Sequence, residues 1–124
     1  MIITNNPAVT AAYEQMKNVR YVEGSYRDVL VEVRNLVHIG HELVTHPLMG
    51  SLKPNETPYR SVVVSDEPVQ GCHTEAILII EESIAVFDRF ARTARPDRGA
   101  HASEIAKRDF REIDLSLLKS ALDA

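Results

Sequence analysis

The chain has 124 residues, 44% of them hydrophobic, which is the size of one domain able to bury a single core without disulfides or a structural metal. A net charge of -4, with four Tyr, three Phe and no Trp, excludes the basic footprint and the stacking platform of a nucleic-acid module. The single cysteine, Cys72, rules out an internal disulfide and suits a reducing cytosol, and no window approaches the roughly 18 apolar residues of a spanning helix, so a cytoplasmic protein with no membrane role is expected.

"MIIT" predicts a short buried strand. Asn5 and Asn6 follow, and Pro7 stands where a first helical position falls, which predicts a helix from about Pro7 to Lys17. "RYVEG" predicts a second short strand. In "GSYRDV", Ser25 can cap a helix with Asp28 in the capping-box position, and Gly40 ends it. Tyr26, Val29, Leu30, Val33, Leu36 and Val37 fall in an arc of roughly 120° at 100° per residue, the width of a helix laid on a sheet, with Arg27, Arg34 and His38 opposite, facing water.

"ELVTH" and "RSVVVS" are strand-like, and no helix between them is long enough for a parallel crossover, so an antiparallel pair is predicted. A long helix is predicted from about His73 to Ala94. Its apolar arc, including Ile79, Val86 and Phe90, spans roughly 180°, wider than one sheet contact requires. The surplus predicts a two-fold homodimer. Beyond the polar connection "ARPDRGAH", the pattern predicts a short helix from Ser103, a strand at about Phe110–Leu115 and a final helix capped by Ser116. The whole reads as a single three-layer α/β domain over residues 1–124, with a small mixed, mostly parallel sheet flanked by helices.

His38, His41 and His46 invite a metal reading, but Gly40 separates the first two, so they do not share a helical face. His38 suits a helix C-terminus, where the dipole favours a cation. Cys72 stands near the start of the long helix, where the dipole lowers a thiol pKa, with only adjacent His73 as a candidate base. No G-x-S-x-G, P-loop, G-x-G-x-x-G or kinase signature occurs. Neither a bound metal nor a cofactor is expected.

What remains is positional. Ligands of open α/β sheets gather outside the carboxyl ends of strands, where Asn5, Asn6, Glu23, Ser25 and His46 fall. The loop "PLMGSLKPNETPY" adds Ser51, Lys53, Asn55, Glu56 and Thr57, with Arg60 just beyond it. It is long for a compact domain and restricted at Pro47, Pro54 and Pro58, so an ordered, functional loop is expected. A surface loop stiffened for stability alone is the simpler alternative.

Three stretches, "IITNNP", "HIGHELVTHPLMGSLKPNETPY" and "DFREIDLSLLKSAL", resemble the GrdX family, small proteins encoded beside the glycine, sarcosine and betaine reductase genes of amino-acid-fermenting bacteria. They bracket nearly the whole chain. From Asp66 to Lys107 there is no strong family pattern, so nothing transfers there, including any role for Cys72. The resemblance implies a selenoprotein reductase system as neighbour and carries over no catalytic residue or cofactor. It implies a non-catalytic accessory or ligand-binding protein, whose partner is a small anionic metabolite or a reductase-system protein. The alternatives are a small enzyme acting on an amino-acid-derived or acyl-phosphate metabolite, with His46 as acid or base and Lys53 or Arg60 holding the anion, and a structural assembly partner.

Overall fold

The structure, a computed structural model, describes residues 1–49, 57–92 and 103–123. Among these residues three strands, β1 (Ile2–Thr4), β2 (Val19–Tyr21) and β3 (Ser61–Val63), form a sheet in the order β2-β1-β3. β1 pairs parallel with β2 and antiparallel with β3, with Thr4 opposite Ser61. The sheet is therefore evenly mixed, which corrects the expectation of a mostly parallel one. "ELVTH" does not form a full strand. It contributes one antiparallel bridge, Leu43 to Val64, so its direction is as predicted while its length is not.

Among the described residues, four helices cover the two faces. α1 (Pro7–Tyr13) is capped by Asn6, with Pro7 in its first turn. It stops four residues short of the predicted Lys17. α2 (Tyr26–His38) carries the reciprocal capping box of Ser25 and Asp28, and it ends in a Schellman turn: His41 N–H donates to Leu36 C=O, Gly40 N–H to Val37 C=O, and Gly40 has φ +112°. A side chain at Gly40 would strain that turn. α3 spans Thr74–Ala91.

α4 is one continuous helix, Glu104–Leu122, capped by Ser103, and this overturns the predicted helix, strand and helix over the same stretch. Its inward positions, Phe110, Arg111, Asp114, Leu115 and Leu118, recur at helical spacing. Asp114 interrupts the apolar stripe, and the alternation around it imitates a strand.

Strand side chains alternate between two cores. Ile3, Val62 and Val64 pack against Tyr26, Val29, Leu30 and Val33 of α2 and Ile80, Ile84 and Phe87 of α3. Ile2 and Val63 pack against Val9 of α1 and Leu115 and Leu118 of α4. Each fully buried aliphatic or aromatic side chain contributes about 1.5–3 kcal/mol relative to exposure, so both faces are held by burial. This is a three-layer α/β arrangement. α3 packs chiefly along α2, where the predicted water-facing residues of α2 meet it: Arg27 pairs with Asp88 at 2.9 Å, and Arg34 and His38 approach Glu81 at 3.9 and 3.3 Å. Among the described residues, no helix is long and apolar enough to cross a membrane.

Candidate functional site

Because β3 runs antiparallel to β1, its first residues arrive at the carboxyl end of β1. Asn5 and Asn6 leave β1 at this edge and organise it. Asn5 donates through Nδ2 to Gly24 C=O (3.0 Å) and Pro58 C=O (2.8 Å), and its Oδ1 accepts from Arg60 N–H at 3.0 Å. One side chain thus ties three chain segments. Asn6 caps α1 by accepting from Ala8 N–H, and donates to Arg111 C=O (2.9 Å) and Asp114 Oδ2 (3.0 Å) of α4. All four amide N–H bonds of the two side chains are engaged by protein. What these residues supply is position.

Beneath them lies a polar interior. Thr4 and Ser61 hydroxyls share a hydrogen bond at 2.7 Å, and Ser61 donates to Asp114 Oδ2 at 2.7 Å. Arg60 donates through Nη1 to Met49 C=O at 2.7 Å and stacks its guanidinium 5.0 Å above the Tyr26 ring, which itself stacks on Phe87. Arg60, Asp114 and Tyr26 are only 2%, 3% and 3% exposed. Neither charge forms an ion pair among the described residues. Each of the three keeps a buried side-chain atom with no hydrogen bond of ordinary geometry: Arg60 Nε, Asp114 Oδ1 and the Tyr26 hydroxyl. Burial pushes the Tyr26 phenol up, and Asp114 adds to that while the Arg60 guanidinium opposes it, so the hydroxyl stays protonated and shares one electrostatic environment with both charges.

Thr57 is buried here as well and turns the chain by accepting from Tyr59 N–H at 3.3 Å. Arg111 closes the rim, donating to the Tyr59 hydroxyl at 3.0 Å. The chain leaves the edge at Met49 and returns at Thr57. Ser51, Lys53, Asn55 and Glu56, and with them the expectation of an ordered loop, lie outside the described residues.

Of the predicted site residues, Asn5, Asn6, Thr57 and Arg60 come together. His46 does not join them. It is exposed, its Nδ1 accepts from Leu48 N–H at 3.0 Å, and it lines an open groove of about 530 Å3 with Thr45, Cys72, His73 and Glu75. His38 pairs with Glu81, and His41 is buried with Nδ1 2.7 Å from Ser65 C=O. No metal-holding group of His, Cys, Asp or Glu occurs among the described residues. The exposed Cys72 thiol is lowered by its hydrogen bonds to Thr74, side chain first and then backbone.

Sequence reasoning placed Tyr26 in the core and passed over Ser61 and Asp114. An acidic residue on the buried stripe of α4 would have been the signal, had that stretch been read as a helix. No curated protein and no solved structure matches the chain. A family model described as GrdX-like protein matches residues 1–123, a span that takes in every residue of the edge from Thr4 to Asp114, and the chain belongs to the GrdX-like family.

Proposed function

We propose that this GrdX-like chain is a non-catalytic ligand-binding accessory protein of the glycine, sarcosine and betaine reductase system, and that it holds a small metabolite through an anionic group at the carboxyl edge of β1. The observation that carries the reading is Arg60, a buried guanidinium without an ion-pair partner among the described residues, whose Nε–H makes no hydrogen bond. A guanidinium that stays charged when buried suits a carboxylate or an acyl phosphate, which it can bind through paired donors. The neighbouring Asn5 and Asn6 have their donors committed to the scaffold, as expected of a preorganised support rather than of reacting groups. The enzyme alternative loses its acid or base, since His46 faces the other groove.

A panel of acetate, glycine and acetyl phosphate titrated calorimetrically into the full chain tests the reading. At least one should bind, and Arg60→Lys should weaken that binding about tenfold or more, because the charge remains while the forked donor geometry is lost. A folded chain that binds none of them at millimolar concentration ends the reading. A cytoplasmic location accords with this role.

The same reading includes pairing of two copies through the outer face of α3. What supports it is Leu78, 64% exposed, beside an apolar groove of about 380 Å3 lined by Leu48, Ile79 and Val86.

A further inference from the structure

We infer that the ligand of the carboxyl edge is a small zwitterion, an α-amino-acid-like molecule whose carboxylate meets Arg60 and whose N–H group meets Asp114. This rests on the binding function proposed above and names the chemical class of its ligand. Two buried side-chain atoms at the edge remain without a partner: Arg60 Nε, which can only donate, and Asp114 Oδ1, which can only accept while ionised, whereas the Tyr26 hydroxyl has the Arg60 guanidinium beside it. Buried polar atoms in folded proteins are satisfied almost without exception, and one left unpaired calls for an explanation. Here a charged donor and a charged acceptor are left in one interior, with Tyr26 feeling the charges of both Arg60 and Asp114.

Charge balance separates a zwitterion from a simple anion. Arg60 and Asp114 are both enclosed, and their charges cancel. A bare anion beside Arg60 would leave one uncompensated negative charge in the interior and set it against the Asp114 carboxylate, whereas a zwitterion adds no net charge and supplies the missing partner to each. Asp114 is also held for the task. Ser61 and Asn6 both donate to Oδ2, which fixes the carboxylate and leaves Oδ1 as its free acceptor.

Calorimetric titration of the full chain with glycine, acetate and methylammonium at neutral pH provides the test. Glycine should bind at least tenfold tighter than either half-molecule. Asp114→Asn retains the oxygen that Ser61 and Asn6 bond and turns the free acceptor into a donor. It should lower glycine affinity at least tenfold while leaving acetate affinity unchanged or raised. Equal binding of glycine and acetate, or equal losses of both in Asp114→Asn, would overturn the zwitterion and leave anion binding intact. Failure of both to bind the wild-type chain would overturn the binding function and the zwitterion with it. Should Asp114→Asn fail to fold, as judged by circular dichroism, the wild-type comparison of the three compounds still decides.

Discussion

The carboxyl edge of β1 and the outer face of α3 depart from the usual partition of residues in opposite directions. At the edge, Arg60 and Asp114 bury polar atoms without partners, and Tyr26 buries its hydroxyl beside Arg60. On α3, Leu78 stands in water above a groove lined by Leu48, Ile79 and Val86. Neither arrangement helps a lone chain to fold, since unsatisfied buried polar groups cost free energy and exposed apolar surface forfeits it. The difference lies in what each could recognise. The edge is enclosed and polar, whereas the α3 face is open and apolar.

The edge is broken hardest by Asp114→Ala. That change strips the acceptor from Ser61 and Asn6, and with roughly 1–3 kcal/mol for each buried donor left unpaired, urea denaturation should show a loss of about 3 kcal/mol. A loss below about 1 kcal/mol would mean that the edge relaxes and is not the rigid support inferred from its geometry. On the other region, Leu78→Glu should change the stability of the single chain by less than about 0.5 kcal/mol, as surface substitutions do, yet abolish any dimer seen by light scattering. A wild-type chain that is monomeric at high micromolar concentration removes the pairing of copies altogether.

A third experiment concerns the seam between α2 and α3, which joins the two regions. The Arg27 guanidinium holds Asp88 below its ordinary value of 3.8, by hydrogen bond first and charge second. A carboxyl with a depressed folded-state pKa adds stability that is present above the unfolded value and is lost as pH falls through the folded one. Arg27→Met should therefore flatten the stability-versus-pH curve below about pH 4. With both side chains partly exposed to solvent, the effect should stay under about 1 kcal/mol. The smallest expected change is the most telling for the edge. Tyr26→Phe removes a hydroxyl whose contact with the Arg60 guanidinium falls short of a hydrogen bond of ordinary geometry, so unfolding should shift by less than about 0.5 kcal/mol, while affinity for an edge ligand falls. A loss above about 1 kcal/mol would show that the hydroxyl is bonded in the free protein.

Much of this organisation was legible wherever its cause is local. Ser25, Asp28 and Gly40 delimit α2 because a capping box and a Schellman turn each close within a few residues. The apolar stripe from Tyr26 to Val37 names its buried face. α4 was misread for the converse reason. Asp114 sits on a buried stripe, and a carboxylate there makes sense only once Asn6 and Ser61 are known to donate to it. His46 was grouped with Asn5 and Asn6 through its place near a strand end, and nothing in its neighbourhood signals that its side chain turns toward α3.

By itself the sequence determined the α/β class, the start of α1, the cap and stop of α2, the antiparallel relation of "ELVTH" to "RSVVVS" and the family resemblance. These depend on periodicities and hydrogen-bond rings that span a few residues, or on motifs compared stretch by stretch. Only the tertiary structure decided that β3 meets β1 head to tail, that Asn6 reaches Asp114 across 108 positions of the chain, and that Arg60 lies over Tyr26 with Nε free. Such contacts close only when both cores have packed on the sheet. Which polar atoms then remain without a partner is a property of the assembled interior and of no segment within it.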